Sequence, residues 1–344
     1  LEGLGRREMN SRMNNFWRGK KVLVTGHSGF KGGWLSLWLN MLGAKVYGYS
    51  LPPVKEGFFN ATDLGSIFEN SVFGDIRDKK ELEKFVKKVR PEIVFHLAAQ
   101  PLVLDSYESP LLTFETNVMG GVNLLEALRL TPNVKSVVFV TTDKCYYNDG
   151  KNSPPFETNA PLGGVDPYSC SKACAELLVS CYRSSFLKDL NIATARSGNT
   201  LGGGDYTKGR LISDLLIALR NPSKMDLNSL IRSPNSIRPW SSVFDITYSY
   251  LVLAEKLYSK NGYKYALSWN LAPKLENHTS FKKTGWIVNY ILKQQGIPPY
   301  KFSAKRSPLE AFKLQIDSLY TEEILGTKHI LSLKETLNLV MDWE

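Results

Sequence analysis

Between residues 22 and 197 the chain alternates short β-rich runs with helical patterns, and this alternation restricts its possible folds more than any other feature. Segments 22–25, 45–49, 93–97, 137–141 and 192–196 are dense in β-branched and aromatic residues and read as strands. Several are apolar without clean alternation, the pattern of parallel strands covered on both faces. Segments 33–42, 78–89, 111–130 and 168–187 carry apolar residues three and four apart and read as helices. Strand and helix in turn give an α/β fold, a doubly wound parallel sheet.

The first strand runs into Thr25-Gly26-His27-Ser28-Gly29-Phe30-Lys31-Gly32, which opens a helix. Glycines there permit a tight turn, close approach of backbone to a pyrophosphate and close helix–sheet packing, while the helix N-terminus offers N–H donors. Placed after a strand and before a helix, the loop reads as a Rossmann-type dinucleotide site. His27 and Lys31, inside it, either face the diphosphate or serve packing and solvent. The second strand ends Tyr47-Gly48-Tyr49-Ser50-Leu51, without the carboxylate that holds ribose hydroxyls and without an arginine for a 2′-phosphate. That loop leaves NAD and NADP both open.

Tyr168 and Lys172, four apart in a predicted helix, share one face. The lysine ammonium is expected to favour phenolate at Tyr168 and bring its pKa toward neutrality, so that it acts as a base.

Beyond Asn199 the texture changes. Gly202, Gly203 and Gly204 in succession, with loop-like stretches at 232–235 and 259–265, interrupt the helical segments. A smaller C-terminal substrate-binding cap is expected over the carboxyl ends of the strands, where open sheets bind ligands. The expected division is 1–12 as a disordered or vector-derived N-terminus and 13–198 as the dinucleotide domain, with 241–270 returning to it. Residues 199–240 and 271–344 then form the cap.

Forty-three Lys and Arg against 33 Asp and Glu leave +10, a surplus that suits a small polyanion, nucleic acid or a membrane surface. The charge is dispersed, and its densest runs, Lys79-Lys80 and 84–90, alternate with Glu81 and Glu83 as on a solvated helix face. Neither a nucleic-acid nor a membrane partner is expected, and no run nears the roughly 18–20 apolar residues of a membrane-spanning helix. Four cysteines in a chain this long argue against a disulfide framework and for a reducing cytoplasm. Cys170, Cys174 and Cys181 share a helical stripe and are expected to pack as small apolar residues, with no His nearby to complete a metal site.

The Gly-x-x-Gly-x-x-Gly spacing resembles the extended short-chain dehydrogenase/reductase family. Further landmarks match: Asp75-Ile76 after a third strand, His96-Leu97-Ala98-Ala99 ending the fourth, Asn117 in the next helix, and the Tyr168–Lys172 pair. With TTDKCY at 141–146, PLGGVDPY at 161–168, ARSGNTLGGGD at 195–205 and IRPW at 237–240, the chain is similar to the CDP-glucose 4,6-dehydratase branch of the sugar-nucleotide dehydratases over about 17–272. The resemblance implies a lyase with tightly bound NAD that converts CDP-glucose to CDP-4-keto-6-deoxyglucose. Its steps are C4 oxidation, loss of water across C5 and C6, and hydride return to C6, feeding deoxysugars such as those of lipopolysaccharide O-antigens.

The same resemblance implies catalytic roles for Thr142, Asp143, Lys144, Tyr168 and Lys172. It implies cofactor contacts from Gly26, Gly29, Phe30, Gly32, Asp75, Ile76, Ala98, Ala99, Gln100, Asn117 and Thr141, together with Tyr168 and Lys172. Asn199, Arg210 and Arg238 would contact the nucleotide sugar, and helices 111–130 and 168–187 would pair across a two-fold axis in a homodimer. The wider family has Asp-Glu after the catalytic Thr, with Glu as the C5 base; this chain has Asp143-Lys144. Lys144 is that base if burial and Lys172 depress its pKa; otherwise it steadies the enolate as a cation, or is a surface residue past the strand. His96 reads as a structural hydrogen-bonder. A 4-epimerase or ketoreductase on this fold would have no task for Asp143 and Lys144, and a non-catalytic dinucleotide- or RNA-binding protein would need only the fold and the charge.

Overall fold

Val22, Leu23, Val24, Ile93, Val94 and Phe95 have no exposed surface, as central parallel strands require. The computed structural model describes residues 15–148, 155–220, 226–274, 281–302 and 313–344; the predicted N-terminal segment 1–12 lies outside them. The described residues form strands β1 (Lys21–Thr25), β2 (Lys45–Ser50), β3 (Asn70–Phe73), β4 (Ile93–His96), β5 (Ser136–Thr142), β6 (Asn191–Ser197), β7 (Asn199–Leu201), β8 (Ile237–Ser242), β9 (Ser268–Leu271) and β10 (Phe281–Lys283). The main helices are α1 (Phe30–Met41), α2 (Lys79–Val89), α3 (Val103–Glu108), α4 (Pro110–Phe114), α5 (Gly120–Arg129) and α6 (Pro167–Ser185). After these come α7 (Leu211–Leu219), α8 (Val243–Tyr258), α9 (Thr284–Gln294), α10 (Leu319–Leu325) and α11 (Leu333–Trp343).

Seven strands make one parallel sheet in the order β3-β2-β1-β4-β5-β6-β9. The order reverses direction between β1 and β4, which opens a crevice at their carboxyl ends. Leu35 and Leu39 of α1 and Ile246, Tyr250 and Leu253 of α8 fill one face of the sheet. Leu82 and Phe85 of α2, Leu124 of α5 and Val179 of α6 fill the other. β7, β8 and β10 form a second sheet, and with α7, α9 and α11 they bury a separate core around Leu215, Trp240, Ile287 and Leu337. The lysines of α2 are solvated while Leu82, Phe85, Val86 and Val89 turn inward.

The helix expected over 111–130 forms without a break, but its pitch changes midway. A π turn at Glu115–Met119 separates α4 from α5. Gly120 and Gly121 follow it, and a Cβ at Gly120 would stand 2.6 Å from Ile76 Cγ2 and one at Gly121 3.0 Å from Phe139 Cζ, so the helix packs closely on the loop after β3 and on β5. The extra residue in the π turn points Asn117 inward, a distortion that helical periodicity does not encode.

Candidate active site

Gly26 stands at φ +75°, and a Cβ there would lie 2.7 Å from the Ala98 nitrogen. A Cβ at Gly32 would lie 2.1 Å from the Gly26 carbonyl oxygen. The loop therefore folds onto itself and onto the end of β4 as bare backbone, and no described side chain caps the first turn of α1. Such a cradle fits a dinucleotide pyrophosphate. It opens into a cleft of about 1020 Å³ that reaches the second core at Leu216, Trp240 and Val340. Gly26, Gly29, Phe30, Gly32, Asp75, Ile76, Ala98, Ala99, Gln100 and Thr141 all line it, as do Asn199, Arg210 and Arg238 on the far side.

The two loop side chains part ways. His27 is buried against Phe59, Phe68 and Phe73, with ring centroids 5.7, 4.8 and 6.0 Å away, and burial lowers its pKa to about 4. It is a packing residue and does not face the cleft. Lys31 does, and donates to Ser197 Oγ at 3.2 Å. Burial, with the charges of Arg210 and Lys172 nearby, lowers its ammonium to about 7.

At the end of β2, Ser50 Oγ donates to Ser28 Oγ at 2.8 Å, and Ser28 Oγ donates to the Leu51 carbonyl at 2.7 Å. An arginine does stand nearby, from the β3 loop: Arg77 lines the cleft, pairing with Asp75 at 2.6 Å and Glu115 at 3.2 Å. Its guanidinium holds the Asp75 carboxyl below the usual carboxylate range.

Asn117, expected among the cofactor contacts, has no face on the cleft. Its amide is spent on the Gln100 backbone, accepting at 2.9 Å and donating at 3.0 Å, and on Ser171 Oγ at 2.9 Å. It braces the turn after β4 instead. His96 is the structural hydrogen-bonder expected, with Nδ1 2.7 Å from Thr25 Oγ1 and its ring 4.2 Å from that of Phe139.

β5 and α6 assemble the reactive set. Asp166 caps α6 by accepting from the Ser169 N–H at 2.8 Å, and Pro167 occupies the first turn, which starts the helix just before Tyr168. The Tyr168 hydroxyl is hydrogen-bonded to Thr142, and Thr142 Oγ1 donates to Asp143 Oδ1 at 3.0 Å. Asp143 is fully buried, and its Oδ2 has no partner among the described residues. Lys144 is half-buried on the cleft wall, not a solvated residue beyond the strand.

The expected lowering of Tyr168 by Lys172 is not what the structure has. Burial pushes the phenol up to about 12, with Asp143 adding to the rise against the neighbouring Thr142 hydroxyl and the charge of Arg210. Lys172 Nζ donates instead to the Val140 carbonyl at 3.3 Å, and burial lowers that ammonium to about 8. Tyr168 is thus a neutral phenol until a cationic ligand adds opposite charge.

One buried network escaped the sequence reading. Glu176, one turn past Lys172, accepts from Thr141 at 2.5 Å, Thr194 at 2.7 Å, Ser268 at 3.1 Å and Arg196 at 2.7 Å. Arg196 continues to the Tyr146 hydroxyl at 2.6 Å. Its only sequence signal was the four-residue step from Lys172; the partners come from three other strands. Of the cysteines, Cys170 and Cys174 are half-buried and Cys181 is exposed, so the last does not pack as expected.

A family model described as the NAD dependent epimerase/dehydratase family matches residues 22–268. The CDP-glucose 4,6-dehydratase of Salmonella typhimurium is 42% identical over 338 residues, covering 96% of this chain and 91% of that protein. A CDP-paratose 2-epimerase of Salmonella typhi is 30% identical over 54% of the chain and 59% of its own length. Among solved structures, a dTDP-glucose 4,6-dehydratase of Streptomyces venezuelae with NAD bound superposes with TM-score 0.79 at 21% identity, covering 94% of this chain and 96% of that one.

Proposed function

The chain belongs to the NAD dependent epimerase/dehydratase family, and we propose that it is a nucleotide-sugar 4,6-dehydratase converting CDP-glucose to CDP-4-keto-6-deoxyglucose. The observation that carries this reading is Asp143: a buried carboxyl with one oxygen unpartnered among the described residues, beside Thr142 in the cleft. Inverting or reducing C4 needs no such group; expelling the C6 hydroxyl needs an acid there.

The 26–32 loop would hold the cofactor diphosphate, and Asp75, Ile76 and the 98–100 turn line the same cleft to hold the rest of it. Bound there, NAD would supply reversible hydride acceptance, so that the conversion carries no net redox change. Tyr168 takes the C4 hydroxyl proton, and Thr142 shares a hydrogen bond with the same oxygen. The charge of Arg210, with the positive charge an oxidised cofactor would add, favours phenolate against the burial that raises it. Once C4 is a ketone the C5 proton is acidic. A base removes it, with Lys144 either that base or the cation that steadies the enolate, while Asp143 protonates the C6 hydroxyl and water leaves. As hydride returns to C6, the proton goes back to C5. Asn199, Arg210 and Arg238 line the cap side of the cleft and would contact the substrate diphosphate, with Lys31 of α1 lining the same cleft.

We further propose a homodimer formed through the 111–130 and 168–187 helices, where Leu111 of α4, Met119 of the π turn and Leu177 of α6 stand exposed. Sedimentation at micromolar concentration showing only a species near 38.7 kDa refutes it. Four unpaired cysteines support a reducing, cytoplasmic setting.

The function is tested by incubating the protein with CDP-, UDP-, GDP- and dTDP-glucose without added reductant and following the alkaline absorbance of a 4-keto sugar. CDP-glucose is expected to react best. A product that keeps its C6 hydroxyl refutes dehydration.

A further inference from the structure

Gly202, Gly203 and Gly204 lie at the junction of the two cores, and each is held by a different element. A Cβ on Gly202 would stand 2.5 Å from Val243 Cγ1, one on Gly203 2.4 Å from Trp343 Cγ, and one on Gly204 2.9 Å from Phe58 Cβ. The loop is also bonded from the cofactor side: Trp34 Nε1 donates to the Gly203 carbonyl at 3.0 Å and the Phe58 N–H to the Gly204 carbonyl at 3.1 Å. Trp343 completes this clasp from the cap, with its ring centroid 5.6 Å from Phe58 and 6.0 Å from Trp34. Its helix, α11, is rooted in the cap core by Leu333, Leu337 and Val340.

The residue that follows the clasped loop is Asp205. Its Oδ2 accepts from Arg210 at 2.7 Å, its Oδ1 accepts from the Thr207 N–H at 3.3 Å, and its carbonyl accepts from Ser213 Oγ. Arg210 lines the cleft; Trp343 does not.

We infer that Trp343 is a positioning residue for nucleotide-sugar binding: by pinning Gly203 against the cofactor domain it fixes Asp205, and through Asp205 the aim of Arg210. The inference rests on the nucleotide-sugar reading above and assigns a role to the last helix. Removing the ring frees the loop to shift, and the Arg210 guanidinium loses its set direction while the chemistry around Tyr168 and Asp143 is untouched.

The test compares wild type, Trp343→Ala and Trp343→Phe by calorimetry with CDP-glucose and with CDP, and by steady-state kinetics. Trp343→Ala is expected to weaken binding and raise KM about tenfold, the loss of one charge-assisted hydrogen bond. Its kcat is expected to stay within about threefold of wild type, since uniform binding energy is what is lost. Trp343→Phe, which keeps a ring against Gly203, restores most of the affinity. Gly203→Ala weakens binding alone but adds little in the Trp343→Ala background, because the ring its Cβ strikes is gone. Unchanged affinity in Trp343→Ala with only a lower melting temperature overturns the inference, as does full additivity with Gly203→Ala. Wild type that binds another nucleotide-glucose but not CDP-glucose overturns the substrate reading, and the same comparison with that nucleotide still decides the role of Trp343.

Discussion

Replacing Asp143 by asparagine separates the catalytic from the structural work of this carboxyl. Oδ1 accepts the Thr142 hydroxyl at 3.0 Å, and an asparagine oxygen keeps that bond. Oδ2 is buried without a partner among the described residues, so the native carboxyl already bears an uncompensated polar atom, a cost of about 1–3 kcal/mol. An amide of the same shape leaves that buried position no better and no worse partnered, and the melting temperature of Asp143→Asn is expected to stay close to that of wild type. Activity is expected to collapse, because the amide cannot donate an acidic proton to the leaving hydroxyl. General acid catalysis contributes roughly 10²–10⁴-fold, or about 3–5 kcal/mol of barrier. The assay is single-turnover reaction with CDP-glucose, following absorbance near 340 nm for the stalled oxidised sugar with reduced cofactor, and the alkaline 4-keto signal for product. The variant should show the first and lose the second. Near wild-type formation of 6-deoxy product by folded Asp143→Asn refutes the assignment.

Tyr168→Phe should block the first step instead, with no 340 nm signal, a loss of at least about 10²-fold, and intact cofactor and nucleotide binding by calorimetry. Lys144→Ala should retain C4 oxidation but lose exchange of C5 deuterium with solvent, read by mass spectrometry; normal exchange would reduce Lys144 to an electrostatic helper. The rate should rise with pH from 7 to 9, because burial holds Tyr168 up at about 12 and the phenolate fraction that takes the C4 proton grows as pH climbs toward that value. A flat rate from pH 7 to 9 contradicts that. Gly32→Ala should abolish cofactor binding or fail to fold, since its Cβ would meet the Gly26 carbonyl oxygen at 2.1 Å and neither is free to move. Wild-type affinity for NAD in that variant would show that the cradle is looser than it stands.

Much of this molecule is readable from residues in order. The alternation of apolar strand runs with amphipathic helices determines the doubly wound sheet, because burial on both faces leaves the same apolar trace in any sequence that adopts it. The glycine loop announces the cofactor site because bare backbone is the requirement itself, and the step from Tyr168 to Lys172 encodes a shared helix face. Local spacing carries no information about charge, burial depth or contacts between distant segments, and there the tertiary structure decided. Lys172 was expected to lower its neighbour's pKa, yet depth in the fold raises Tyr168 to about 12 and turns Lys172 toward the Val140 carbonyl. His27 and Lys31 are equivalent in the loop, and only the Phe59, Phe68 and Phe73 cluster beyond β2 shows which one is buried away from the ligand. Asn117 entered the interior through a π turn that helical periodicity cannot foresee. Glu176 meets Arg196, Thr194 and Ser268, and Trp343 meets Gly203, across 140 residues in the last case, because packing in three dimensions joins what no window of sequence contains.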